Sequence, residues 1–368
     1  MKKKLALLMA AVLTVGLLSA CGESASSSST AASSAKSEAA TTETASASAA
    51  TETASASAAT ETATEASADT IVIKCGIPSP ITSVHAIALQ AMNEYFAEKN
   101  LVQIEIMTDS VLGTERELPE SVSMGTVQMA VIACSPLVNF DASFYMLDFP
   151  YLVNDRDAAL DALNGDLGRE LLSKLEASGI YGLGFFDQGF REVENNVTPV
   201  NSPADMANLK LRTLESDLFT GFFSALGANP VIMSNSEIIT SLEQGTIDGV
   251  DYTISALYSS GTYPLVKNLA ITDHIYSTLI PLINLDLWNS FSDEVKAEFE
   301  AAMAYALDYM KDYMATLEEE SLAAFEESGI EITYPDKSAF QEATKDVAAS
   351  YMDQIDVDLY ERFVEACG

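Results

Sequence analysis

Side chains able to do covalent or metal chemistry are few in this chain, and they are scattered. The only histidines, His85 and His274, lie far apart in sequence. After Cys21 come three more cysteines, Cys75, Cys134 and Cys367, with no repeated spacing. They make neither a zinc motif nor a disulfide framework, and they read as small buried apolar residues. A single Cys75–Cys367 bridge stays open. A Cys/His nucleophilic pair is not expected, and the abundant carboxylates come with no recognisable catalytic motif. The expectation is no catalytic residue, no metal and no cofactor, so not an enzyme. That leaves binding. The sequence has 54 acidic and 19 basic residues, a net charge of −35. Such a field repels nucleic acid and membrane phosphate. Any anionic ligand would need a locally basic site, built from a handful of lysines and arginines.

The elements that would position such a site alternate. Thr70 to Ile77 (TIVIKCGI) reads as a strand, broken by Pro78-Ser79-Pro80. Ser83 to Lys99 then carries Val84, Ile87, Ala88, Ala91, Met92, Tyr95 and Phe96 at helical spacing. Strands are expected at 102–107, 128–133, 180–186, 210–213, 229–232 and 247–252, and helices at 115–124 and 155–178. This order predicts α/β lobes with largely parallel sheets. Late in the chain, Ser292 can cap a helix whose first turn holds Asp293 and Glu294. Apolar residues follow from Val295 to Phe325, and Gly329 can end it. A continuous helix over 293–328 would be about 54 Å long and would cross both lobes. A break near 316–319 is the other reading.

The N-terminus places the chain. Lys2, Lys3 and Lys4 precede a short apolar run, Leu5 to Leu18, with the proportions of a secretory signal. It ends at Leu18-Ser19-Ala20-Cys21, which resembles the bacterial lipobox, so Cys21 is the expected lipidation site. From Gly22 to Asp69 nearly every residue is Ser, Ala, Thr or Glu, and TETASASAA at 42–50 recurs at 51–59. Such a stretch cannot offset its ordering entropy and reads as a disordered tether. The folded part is expected from Thr70 onward, long enough for two lobes.

Across Thr70 to Lys345 the residues resemble the substrate-binding subunits of tripartite ATP-independent periplasmic (TRAP) transporters, of the dicarboxylate-binding type. Leu112-Gly113-Thr114-Glu115-Arg116-Glu117-Leu118 resembles the family's LG-x-E-R-E-L segment, Gly125 to Ala130 its GTVDMA stretch, and Phe149-Pro150-Tyr151-Leu152 its LPFLF loop. Gly189-Phe190-Arg191 resembles its GFR motif. Ser202-Pro203-Ala204-Asp205-Met206 is followed, in the family's order, by Leu209-Lys210-Leu211-Arg212, Leu226 to Pro230, Ser236-Glu237 and Gln244 to Gly249. Each motif is weak, and the ordered set is specific.

The resemblance implies an α/β, two-lobed periplasmic-binding-protein-like fold, hinged by crossing strands, with a long helix spanning both lobes. It implies a lobe I of 70–188 with 278–317 and a lobe II of 189–277 with 318–368. The expected function is extracytoplasmic capture of a small organic acid in the interlobe cleft. The acid is then delivered to the small and large membrane subunits of a TRAP transporter. The protein would be a monomer, held to the cell membrane by lipid on Cys21 after a signal peptide over 1–20. An ABC-type solute-binding lipoprotein is the alternative. By the same resemblance Arg212 would grip the ligand carboxylate, a role for which a planar guanidinium is suited. Arg191 would be a second arginine for that carboxylate or for closure, and Glu115 a carboxylate for ligand polar groups. Glu237 reads as a helix cap and His274 as a packing residue.

Departures from the family pattern make the cleft wall distinctive. Tyr252 stands where an asparagine is common, Asn235 where an aromatic residue precedes the Ser-Glu pair, and Ile239 where a tyrosine is usual. Tyr252 and Asn235 are therefore candidate ligand-binding residues, and the ligands of the common members cannot be carried over. A tyrosine offers a stacking face and one hydroxyl, which suits an aromatic or sugar-derived acid.

Overall fold

The computed structural model describes residues 70–367. The expected signal peptide, the lipidation site Cys21 and the tether lie outside the described residues. In chain order the strands and helices are β1 (Ile71–Gly76), α1 (Val84–Ala97), β2 (Val102–Met107), α2 (Glu117–Ser123) and β3 (Met129–Ala133). Then come α3 (Arg156–Leu163), α4 (Asp166–Ser173), β4 (Ile180–Gly182), β5 (Phe186–Asn195), β6 (Lys210–Thr213), α5 (Asp217–Ala225), β7 (Asn229–Ile232) and α6 (Asn235–Gln244). The chain closes with β8 (Gly249–Thr253), α7 (Ile254–Ser259), β9 (Asn268–Asn284), α8 (Leu285–Ser290), α9 (Asp293–Glu327), β10 (Glu331–Thr333), α10 (Lys337–Thr344) and α11 (Val357–Cys367).

One sheet, ordered β2-β1-β3-β9-β5-β8-β6-β7, carries both lobes. At one end β1 runs parallel to β2 and β3, and at the other β6 runs parallel to β7 and β8. The middle differs from the parallel expectation. β9 is antiparallel to β3, β4 and β5, and β5 is antiparallel to β8. The physical reason is that β5 and β9 are the crossings. β9 pairs with β10 and the end of β5 over 268–270, then with β3 over 279–283. Two irregularities, between Asp187 and Gly189 and between Arg191 and Val193, break the β5–β9 register. Bulges of this kind bend a strand and increase its local twist, which suits a hinge.

Ser292 caps α9 by accepting the Val295 N–H at 3.3 Å. The helix runs unbroken for 35 residues, about 52 Å at 1.5 Å per residue. No break occurs at 316–319, because Leu317 and Ser321 continue the buried stripe of Phe299, Met303, Ala306, Met310 and Met314. Its start and end lie in different cores. Phe299 packs with Ile73 and Phe96 beside β1, whereas Phe325 packs with Ile238, Leu242 and Val250 beside β8. Gly329, with φ +81°, turns the chain out of the helix.

The expected helix over 155–178 is two helices, α3 and α4. Asn164 leaves the helical pattern to bracket Phe185, donating to its carbonyl at 2.9 Å and accepting its N–H at 3.0 Å. At Gly168 any Cβ would lie 1.7 Å from the Leu163 carbonyl oxygen, so the break is close-packed. Likewise the strand expected over 180–186 divides into β4 and the start of β5. The 318–368 stretch assigned to lobe II also divides. α10 lies against α5 and β9, but α11 packs on α3 and α4, and Asn154 donates its N–H to the Cys367 carbonyl. Apolar residues Leu359 and Phe363 of α11 are buried in a core that holds Leu163 and Leu171 and also Phe222 of α5 and Phe340 of α10. Cys75, Cys134 and Cys367 are all buried and free, so no Cys75–Cys367 bridge forms.

Candidate functional site

Between the two ends of the sheet lies a cleft of about 280 Å³, near the lower end of small-molecule sites, roughly 300–1,000 Å³. The five residues singled out from the sequence, Arg212, Arg191, Glu115, Tyr252 and Asn235, all line it. They come from the C-terminal end of β6, the hinge strand β5, the loop before α2, β8 and the start of α6.

Arg212 is 2 % exposed. Its Nε donates to the Met233 carbonyl at 3.0 Å, while Nη1 has no hydrogen-bond partner among the described residues. No carboxylate among them lies within ion-pair distance of it. Its guanidinium carbon sits 5.7 Å from the centroid of the Tyr252 ring, within the range of a cation–π contact. Tyr252 in turn donates its hydroxyl to Asn235 Oδ1 at 3.2 Å. One face of the cleft is therefore a buried guanidinium backed by an aromatic ring and an amide, with donor capacity unspent. Burying a cation with no ion-pair partner is costly, and an anion placed against Nη1 would offset that cost.

Arg191 is differently placed. Its Nε donates to Asp251 Oδ2 at 3.0 Å, and its Nη2 donates to the Asp251 carbonyl. The partner is Asp251, sixty residues away, and not the neighbouring Glu192. Glu192 points elsewhere in the hinge, accepting from the backbone N–H groups of Thr272 and Asp273. Burial would raise the Asp251 carboxyl, but Arg191 and His274 hold it below the ordinary carboxylate range. His274 packs as expected, stacked on Phe222 at 5.0 Å between centroids, and burial lowers its pKa so that it stays neutral.

Glu115 does not start a helix, since α2 begins two residues later. Its Oε1 accepts the Ala133 N–H at 2.6 Å. Burial raises its carboxyl above the ordinary value, against the pull of that N–H and of Arg212 and Arg191. Glu237 forms a capping box with Ser234 at the start of α6, as its position suggests. Among the described residues there is no group of three or more His, Cys, Asp or Glu placed to hold a metal ion.

The family model for bacterial extracellular solute-binding proteins, family 7 (DctP), matches residues 77–354. The chain belongs to this family. This family 7 protein is 32 % identical over 288 residues to the C4-dicarboxylate-binding periplasmic protein DctP of Rhodobacter capsulatus, covering 75 % of this chain and 85 % of that one. It is 30 % identical over 274 residues to the 2,3-diketo-L-gulonate-binding periplasmic protein YiaO of Escherichia coli K12, covering 74 % and 84 %. Among solved structures it resembles a TRAP periplasmic solute-binding protein from Polaromonas sp. JS666 bound to D-erythronate. That match has a TM-score of 0.77 at 26 % identity, covering 81 % of this chain and 99 % of the other. Family membership decides for the TRAP class over the ABC-type alternative.

Two cleft residues of this family 7 protein escaped the sequence reading. Gln188, on β5, accepts from Ser277 Oγ at 3.0 Å through its side chain and from Ser255 through its carbonyl. His85, the second residue of α1, is 4 % exposed, and neither ring nitrogen has a hydrogen-bond partner among the described residues. Burial pushes its pKa down to about 3, so the ring is neutral. The only sequence signal was a histidine on an otherwise apolar helix face.

Proposed function

We propose that the protein captures a small organic acid in the cleft, with the carboxylate held by Arg212, and hands it to the membrane subunits of a TRAP transporter. The observation that carries this reading is the buried Arg212 guanidinium, which has a free Nη1 and no acidic partner among the described residues. Tyr252 and Asn235 would form the wall beside the carboxylate, and Glu115 would meet the ligand's polar groups from the opposite lobe. Arg191 would hold the cleft's shape through Asp251. The fold supports a clamp, because β5, β9 and α9 run from one half of the sheet to the other. In this proposal the protein has no enzymatic activity, acts as a monomer, and is anchored by lipid on Cys21 through the 22–69 tether. The relatives' printed ligands, C4-dicarboxylates, diketogulonate and D-erythronate, give the chemical class from which the acid is drawn. A thermal-shift screen of organic acids tests it. A ligand at 100 times its dissociation constant adds about 2.7 kcal/mol. A panel in which neutral sugars or amino acids shift the melt and no carboxylate does would sink the proposal.

The mouth of the cleft carries a second prediction. Arg116, just before α2, pairs with Glu215, in the loop after β6, where both line a smaller pocket that shares Glu115, Arg212 and Asn235 with the cleft. Both side chains are about half exposed, 53 % and 50 %, so the pair is worth about 0.2–1 kcal/mol. Arg116→Ala or Glu215→Gln should therefore speed ligand release by about 1.5- to 5-fold at low ionic strength. The difference should fade near 1 M salt, where screening acts over about 3 Å. Stopped-flow release rates at two salt concentrations decide it, and variants that release as slowly as wild type at low salt would rule the latch out.

A further inference from the structure

The hinge buries more carboxyl groups than it has cations to balance. Asp148, Glu192, Glu194 and Asp251 are all buried there, and Arg191 is committed to Asp251. Glu192 and Glu194 leave β5 for opposite neighbours. Glu192 accepts the Thr272 and Asp273 N–H groups of β9 and the Thr272 hydroxyl, and the Lys337 charge on α10 acts on it. Glu194 reaches the other way, to β8, where its Oε2 accepts the Tyr252 N–H at 3.0 Å. Its Oε1 has no partner among the described residues. The charges that act on it are Asp251 of β8 and Arg191 of β5, and Glu192 feels its charge in turn. From β9 it faces Leu269, which carries no charge.

An ionised Glu194 is therefore a buried charge with one bare oxygen, close to Asp251, while the arginine near it is already paired. Such a charge is disfavoured, and binding a proton removes it. Burial and Asp251 accordingly push the Glu194 carboxyl well above its ordinary value, against the Tyr252 N–H and Arg191. The position matters because Tyr252 is the wall of the cleft beside Arg212. Burial raises the Tyr252 phenol, and charge on Glu194 adds to that rise. The field of the Glu194 carboxyl thus reaches the cleft.

Resting on the carboxylate reading of Arg212, we propose that Glu194 is a proton-holding residue of the hinge, and that its ionisation weakens the grip on an anion at Arg212. Like charges on either side of a buried side chain repel, so the proton and the acid favour each other's binding. Affinity is full below the pKa of Glu194 in the empty protein and falls as pH rises through it. Stability follows the same sign. An unfolded glutamate loses its proton at about pH 4.3. Above that pH the unfolding constant rises by close to tenfold per unit, until the native carboxyl ionises.

Denaturant melts between pH 7 and 8 test the proton. In that window unfolded histidines are neutral, Asp148, at about 6, is ionised, and unfolded cysteines, at about 8.5, keep their protons. The wild-type unfolding constant should rise with pH more steeply than that of Glu194→Gln, by close to tenfold per unit. Glutamine still offers the Tyr252 N–H an acceptor and carries no charge. Calorimetry between pH 6 and 9, with the tighter-binding of erythronate and succinate as probe, tests the link to binding. Wild type should lose about 5-fold or more in affinity across that range. It should also take up protons on binding, read from two buffers of different ionisation enthalpy, whereas Glu194→Gln should do neither. Glu115→Gln, which neutralises the cleft's own carboxyl, should keep the wild-type trend. If Glu194→Gln does not fold, proton uptake by wild type and by Glu115→Gln carries the test. Equal slopes in the melts overturn the held proton. A flat wild-type affinity, or a trend abolished by Glu115→Gln, overturns its link to the cleft. Arg212→Ala separates the two proposals. A probe that binds this variant as tightly as wild type overturns the carboxylate reading, while the melts, which need no ligand, still decide the proton.

Discussion

Arg212→Ala should weaken binding of the acid by about 30-fold to several thousand-fold. Truncating one member of a buried, hydrogen-bonded charge pair costs about 2–5 kcal/mol, and about 1.4 kcal/mol is a factor of ten. Arg212→Lys should also bind poorly. An ammonium is a point charge and cannot reproduce two parallel N–H bonds while stacked against a ring. Stability without ligand should change little. The side chain gives up one bond to the Met233 carbonyl and its contact with Tyr252. The same substitution removes a buried cation whose Nη1 is unsatisfied. Calorimetry on both variants, with the acid found by screening, is the measurement. An affinity within about threefold of wild type, less than about 0.7 kcal/mol, would mean that Arg212 does not hold the carboxylate.

Removing Asp251 should damage the fold more than the affinity. Arg191 and Asp251 are buried, with side chains 5 % and 0 % exposed. The other acids near Arg191 are poor substitutes. Burial raises Glu194 well above its ordinary value and Asp148 to about 6. Glu194 also accepts the Tyr252 N–H. Asp251→Ala therefore strands a cation in the hinge, at a cost of about 3–5 kcal/mol. For a folded part of this size that corresponds to roughly 5–8 °C in melting temperature. Arg191→Met combined with Asp251→Leu should recover most of the loss, because a matched apolar pair leaves no charge behind. Thermal melts of the single and double variants settle it. A fall under about 2 °C for Asp251→Ala, or a double variant worse than the single, would show that the pair does not hold the hinge.

Legibility followed the physics of each element. α9 could be read because Val295, Phe299, Met303, Met310, Met314 and Phe325 keep helical spacing between a serine cap and Gly329. β5 and β9 could not be read by pattern. Asp187, Gln188, Arg191, Glu192, Glu194 and Asn195 are all buried in β5, as are Thr272, His274, Ser277 and Thr278 in β9. Strands enclosed on both faces show no alternation, and polar residues inside them resemble a loop. The split at 164–165 depended on Asn164 reaching Phe185, a contact across 21 residues that local propensity cannot report. At the site, ordered motifs marked Arg212, Arg191 and Glu115, and departures from them marked Tyr252 and Asn235. The Arg191–Asp251 pairing and the unpartnered His85 needed three dimensions, since each rests on what lies beside a side chain in space.

The three buried cysteines bear on how the chain must mature. It works outside the cytoplasm, where neighbouring thiols are readily joined. Cys75, Cys134 and Cys367 are at most 1 % exposed, and burial raises each thiol so that little reactive thiolate forms. Once native, the described chain offers an oxidant nothing to couple. The unfolded chain is the reverse, with all three thiols open and no native bridge to guide their pairing. Burial must therefore outrun oxidation during folding, and a slow-folding variant would be trapped by wrong crosslinks before it lost its native stability.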